Sequence, residues 1–263
     1  MSTGNKWALI LGASSGMGEA CARHLHARGR HIFGLHLDTL EQEPHVRALV
    51  DELNVNGTRA RFFNMNAARP SVRADVIAAM RESIGADGAL DVVVHSLAFG
   101  ALRPFISAPG EPRISAAQLE MTMNVMAHSL VYWTQDLFDA RLLREGSKVF
   151  AVTSAGSTRV AATYGAVSAA KAALEAHVRQ LSHELAPFGV AVNAIRAGVT
   201  LTPALRKIPG YEQIVEHVVA INPSHRLTTT QDVAEAIGLL SEASSAWMTG
   251  NVVGVDGGEY FSS

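Results

Sequence analysis

Short apolar runs alternate along the chain with longer stretches in which apolar side chains recur every three or four positions. KWALILGA, RHIFGLHL, ARFFNM, LDVVVHSLA, SKVFAVTS, VAVNAIRA and GNVVGVDGG are brief, rich in β-branched residues and bounded by Gly or polar residues, so each predicts a buried strand. Between them EACARHLHARG, SVRADVIAAMRESIG and AALEAHVRQLSHELAPFG carry helical spacing and end at glycine. Such alternation predicts an α/β fold: a doubly wound parallel sheet of about seven strands, with helices on both faces. Ligands on these sheets bind beyond the carboxyl ends of the strands. Two regions break the rhythm, 102–115 with Pro104, Pro109 and Pro112, and 200–226 with Pro203, Pro209 and Pro223. Proline forbids regular ladders there, so both are expected as loops or short helices, the second as a lid over the site.

The 263 residues lie at the upper edge of what one hydrophobic core serves, and α/β chains of this length are read as one domain, here 1–263. With 48% hydrophobic and 17% charged residues the chain buries a large core. A formal charge of −2 supplies no general pull towards nucleic acid or anionic lipid, so partners are sought in local sites. Cys21 is the sole cysteine, which excludes an internal disulfide and suits a reducing compartment; its place on a helical pattern predicts a buried small residue. The eleven histidines show no paired ligand spacing, and no metal is assigned. The apolar run Trp7 to Leu11 is too short for a signal-peptide core and no window reaches membrane-span length, which points to the cytoplasm.

In ALILGASSGMGEA, Gly12, Gly16 and Gly18 follow the first strand and open the first helix. Glycine allows the tight turn and lets backbone approach a pyrophosphate, whose charge meets the free N–H groups at the helix N-terminus. A triplet placed after a strand and before a helix is a far stronger signal than the spacing alone, and it makes the fold Rossmann-like.

From these residues onward the chain resembles the short-chain dehydrogenase/reductase family, whose fingerprint TGxxxGxG reads LGASSGMG here, with Leu11 in place of threonine. The resemblance runs from Trp7 to about Gly258. It takes in Asn66, where many members place Asp beside the adenine, HSLA at 95–98 in place of NNAG, and Asn124 within MTMNVMA. VNAIRAGVTLT is similar to the VNxxxPGxxxT segment that holds the nicotinamide amide, with Ala197 where proline is usual. A nicotinamide dinucleotide is thereby implied. Its expected contacts are Gly12, Ser14, Ser15, Gly16, Met17, Gly18, His36, Asn66, Ser96, Lys171, Gly198, Val199 and Thr200. NAD-selective members carry an acid at position 36; His36 suits a 2′-phosphate instead, with Ser14 or Ser15 donating to it. Asp38 and the lack of a loop Arg or Lys weigh the other way, so NADPH is expected with NADH as the alternative. The family's usual assembly implies a homotetramer.

Most members carry YxxxK, yet the residue four before Lys171 is Val167. Instead TYGAVSAAK sets Tyr164 seven before Lys171 and ten after Ser154. Seven residues is close to two helical turns, so the two side chains share a face, with Cα atoms about 10 Å apart. This YxxxxxxK spacing resembles the bacterial enoyl-acyl-carrier-protein reductases; HSLAFG is similar to their HSIxF stretch, and Ser154, Asn66 and LRP at 102–104 to their NADPH-dependent subgroup. The resemblance implies reduction of a trans-2-enoyl thioester, on coenzyme A or an acyl carrier protein, with Tyr164 stabilising the enolate. The displacement has a rationale: hydride goes to Cβ while charge appears on the thioester oxygen, and three residues of helix move a donor by about 4.5 Å. Lys171 is implied to bond the nicotinamide ribose and lower the tyrosine pKa. Ser154 either assists with a second hydrogen bond or is a strand-end serine bonded to backbone; Asn124 either bends its helix and holds a water or is structural. Leu97, Phe99, Leu102, Phe105, Leu205, Ile208 and Tyr211 are candidates for an apolar slot. Arg103, Arg113, Arg206 and Lys207 are candidates for a phosphopantetheine phosphate or plain surface cations. Two rival functions stand beside this one: a carbonyl or alcohol oxidoreductase in which Tyr164 is the ordinary acid, and a non-catalytic nucleotide-sensing protein.

Overall fold

The computed structural model describes residues 6–55 and 57–262. All seven expected strands form: β1 (Trp7–Leu11), β2 (His31–His36), β3 (Ala60–Asn64), β4 (Val92–His95), β5 (Lys148–Ser154), β6 (Ala191–Ala197) and β7 (Val252–Val255). They make one sheet in the order β3-β2-β1-β4-β5-β6-β7, and every pairing is parallel. Order reverses between β1 and β4, so a crevice opens beyond their carboxyl ends, where Ala8 to Leu11 run beside Val92 to His95.

The helices are α1 (Gly16–Ala27), α2 (Glu43–Leu53), α3 (Pro70–Ile84), α4 (Ala116–Met123), α5 (Ser129–Asp139), α6 (Gly165–Leu185), α7 (Tyr211–Ile221) and α8 (Thr230–Ser241). Residues Asn124–His128 form a π-turn joining α4 to α5. The strand period of two sorts side chains to opposite faces. Trp7, Leu9 and Leu11 enter a core with Val76, Met80, Trp133, Leu137, Leu174 and Val178 from α3, α5 and α6. Ala8 and Ile10 enter a second core with Cys21, Leu25, Leu49, Leu53, Val233 and Ile237 from α1, α2 and α8. Cys21 is wholly buried there and its thiol is pushed up to about 12 by burial.

Arg30, fully buried just before β2, bonds Asp91 at 2.6 Å and Glu242 at 2.9 Å, tying the amino edge of the sheet to the segment after α8. Region 102–115 is irregular, as expected. Region 200–226 contains the three-turn helix α7, which begins two residues after Pro209. Among the described residues no helix is long and apolar enough to cross a membrane.

Candidate active site

The parallel strands deliver their carboxyl ends to one edge of the sheet, and the ends of β1 to β6 each carry or lead into a residue expected at the site. Beyond β1, the amides of Gly12 and Ala13 both donate to Leu35 O, at 2.8 and 3.0 Å, which turns the chain across the end of β2. Gly12 has φ +90, and a Cβ there would lie 2.6 Å from Ser96 O, so only glycine permits the contact between the ends of β1 and β4. Gly18 sits in the first turn of α1, where a Cβ would lie 1.9 Å from Gly12 O; its bare Cα lets the helix N-terminus start against the loop. Ser15 is the exposed N-cap and its hydroxyl makes no cap bond, whereas Ser14 is buried and Met17 half-buried. Gly16 faces Thr202, which brings the segment after β6 up to the loop. Free amides at a helix N-terminus that opens on Gly16, beside a loop drawn close by Gly12 and Gly18, fit a pyrophosphate.

At the end of β2, His36 Nδ1 lies 2.8 Å from Asp38 Oδ2 and the ring is buried. Asn64 clamps the Asp38 backbone from both sides, at 3.0 and 3.1 Å. Asn66 Oδ1 turns back to accept from Ala68 N, an Asx turn that fixes the side chain just beyond β3. Past β6, Gly198 packs against Thr228, and Thr200 is buried with its hydroxyl donating to Gly198 O at 2.9 Å. Val199 N donates to Glu259 Oε2 at 2.9 Å, so its amide is committed within the protein. Burial pushes the Glu259 carboxyl up, partly opposed by that amide.

The chemical groups gather between β5 and α6. Lys171 is buried, donates from Nζ to Val152 O at 2.6 Å, and burial pushes its ammonium down to about 8, with Glu175 acting the other way. Tyr164 is the N-cap of α6 and its phenol is pushed up by burial, with the Ser154 hydroxyl acting the other way. Ser154 ends β5 and accepts from Gly156 N at 3.3 Å, a strand-end serine bonded to backbone. Gly156 packs flat on the tyrosine: a Cβ would lie 2.5 Å from Tyr164 Cε1. Thr163, directly before the tyrosine, has φ +61, rare for a β-branched residue, and its hydroxyl is buried without a partner among the described residues.

Val167 is buried, and a Cβ placed on Gly100 would meet Val167, Thr122 and Met126 within 2.9 Å, so that position belongs to the core. Asn124 opens the π-turn, and its carbonyl accepts the Ser129 amide five residues on. Of the expected apolar lining, Phe105 lies against Gly165 at the head of α6, and Phe99 is exposed. Ile106, Val160 and Leu201 are exposed as well and were not foreseen. Gly156, Thr163 and Glu259 escaped the sequence reading because each matters only through what folds against it. His95 lay inside a quoted motif without a role.

From residue 12 to 259 the chain matches the family model described as enoyl-(acyl carrier protein) reductase. It is 32% identical over 171 residues to the enoyl-acyl-carrier-protein reductase (NADH) of Aquifex aeolicus (strain VF5), covering 65% of this chain and 62% of that one. It is 29% identical over 273 residues to cyclohexanol dehydrogenase of Rhodococcus sp. (strain TK6), covering 98% and 97%. The crystal structure of the enoyl-acyl-carrier-protein reductase (NADH) from Aquifex aeolicus VF5 matches with a TM-score of 0.81 at 27% identity, over 97% of this chain and 96% of that one.

Proposed function

The chain belongs to the short-chain dehydrogenase/reductase family and is an NAD(P)-dependent oxidoreductase, and from that premise we propose that it reduces the C=C bond of a trans-2-enoyl thioester. The observation that carries this reading is the position of the acid. Val167, four residues before Lys171, is locked in the core, while the phenol stands at Tyr164, one turn earlier at the mouth of the site. When bound, the nicotinamide supplies the hydride, which goes to Cβ of the substrate. Charge then gathers on the thioester oxygen, and Tyr164 donates a hydrogen bond to it from a position fixed by Gly156 and the N-cap geometry.

Lys171 holds a proton close to neutrality and bonds the ribose, and Ser154 steadies the phenol. Asn124 holds a water at the π-turn for proton supply to Cα. Phe99, Phe105, Ile106, Val160 and Leu201 offer an apolar mouth suited to an acyl chain rather than a sugar. NADPH is assigned on His36, whose ring Asp38 orients through Nδ1, which leaves Nε2 for a 2′-phosphate. The thioester is carried on acyl carrier protein or coenzyme A, and the assembly is a homotetramer, for which exposed Leu239, Trp247 and Met248 offer apolar surface.

A carbonyl or alcohol substrate is the second reading, favoured by Ser154 standing against the phenol and by the full-length similarity to a cyclohexanol dehydrogenase. NADPH and NADH oxidation with crotonyl-CoA, a longer trans-2-enoyl thioester, acetoacetyl-CoA and cyclohexanone decides between them. Enoyl-dependent turnover that falls about a hundredfold in kcat in Tyr164→Phe, with KM within threefold, is expected. Turnover of the ketones alone would replace the enoyl reading with the carbonyl one.

A further inference from the structure

His95 is the last residue of β4, wholly buried, and pairs in register with Ala151, the neighbour of the Val152 whose carbonyl takes Lys171. Its Nε2 lies 2.8 Å from Ser129 Oγ. Ser129 stands where the π-turn runs into α5. An α-helical Ser129 amide would bond Val125 O, but here it bonds Asn124 O. The Ser129 hydroxyl donates to Val125 O at 2.7 Å, supplying a donor to the carbonyl that the amide has left. With that proton committed, Ser129 Oγ accepts from His95, and the imidazole is fixed as the Nε2–H tautomer.

We propose that His95 is a positioning residue: through Ser129 it pins the widened Asn124 turn to the same short stretch of sheet that anchors Lys171. Two devices from different helices then share one rigid floor, since Lys171 reaches β5 from α6 and Ser129 reaches β4 from α5. A π-turn needs such a fixture, because its wider ring leaves a carbonyl of the ladder to be satisfied from a side chain. Burial and the nearby Lys171 charge keep the imidazole neutral, so the donor at Nε2 is constant across the working pH range. His95 Nδ1 is buried with no partner among the described residues, an acceptor in the neighbourhood of the Lys171 ammonium.

The inference rests on the Asn124 role proposed above, and the test separates the two. Native protein, Ser129→Ala, Ser129→Thr, His95→Asn and the double variant His95→Asn/Ser129→Ala are compared on whichever of the enoyl or ketone substrates the native protein turns over. Ser129→Ala and His95→Asn are each expected to lower kcat about tenfold with KM and nucleotide Kd within twofold. The double variant should be no worse than the poorer single one, and Ser129→Thr should restore the rate by returning the hydroxyl. Backbone hydrogen exchange, which needs no substrate, should speed up at least tenfold in Ser129→Ala over residues 124–130 and nowhere else. Additive losses, an inactive Ser129→Thr, or a Ser129→Ala protein with native kcat and native exchange would each overturn the proposal. Failure of the enoyl reading shows separately, as a native protein inert towards enoyl thioesters.

Discussion

A buried ammonium gives the site its most direct pH dependence. Burial pushes Lys171 down to about 8, and a group needed in its charged form is active below its pKa and lost above it. The pH profile of kcat/KM, which reports groups of the free enzyme, should therefore fall on an alkaline limb near 8. In Lys171→Arg that limb should move beyond the range of the assay, whatever the residual rate. Single-residue sterics yield a second expectation at the phosphate loop. Gly18→Ala forces a methyl into Gly12 O, whereas Gly16→Ala meets only a methyl of Thr202 at 3.4 Å, with φ +57 to accommodate. Nucleotide titration by fluorescence should show at least a tenfold weaker Kd for Gly18→Ala and a smaller loss for Gly16→Ala. These glycines and Lys171 were legible from spacing, because their chemistry is local. Gly156 was not, since its small size matters only against a ring eight residues away.

Helix α6 shows how one element can move an acid without moving its partner. Lys171 is fixed by Val152 O, and the helix begins at Gly165, so sliding the tyrosine to Tyr164 puts it on the N-cap. The vacated position 167 closes over with valine against Thr122, Met126 and Gly100. A Val167→Tyr/Tyr164→Phe protein should therefore not regain an acid in the common family position. Overpacking should cost about 1–3 kcal/mol of stability, read as a fall in Tm, with no gain in ketone reduction. Sequence spacing revealed that the tyrosine had shifted. It could not reveal the π-turn between α4 and α5, because MTMNVMAHSL reads as continuous helix and the groups packed on the turn, from α6 and from His95, lie elsewhere in the chain. The length of α7 was likewise hidden behind Pro203, Pro209 and Pro223, although Pro209 marks its entrance.

At the scale of the molecule, folding carries buried neutral imidazoles that the unfolded chain would protonate. His95 is pushed down to about 3 from an ordinary value near 6.5, so between those values the unfolded state binds the extra proton and stability falls as pH falls. His24, His31 and His177 are lowered as well and add with the same sign. Urea unfolding between pH 6.5 and 4.5 should show His95→Asn losing stability less steeply than native protein, by about 1.4 kcal/mol per pH unit where one proton separates them. The sequence by itself determined the seven strands, the two-sided cover and the glycine turn between β1 and α1, because periodicity and glycine placement are properties of contiguous chain. The tertiary structure alone decided which carboxyl ends meet, that Glu259 holds Val199, and that His95 on β4 reaches Ser129 on α5. Both contacts depend on chain returning to the sheet through parallel crossovers, and partners 34 and 60 positions apart leave no periodic trace in a sequence.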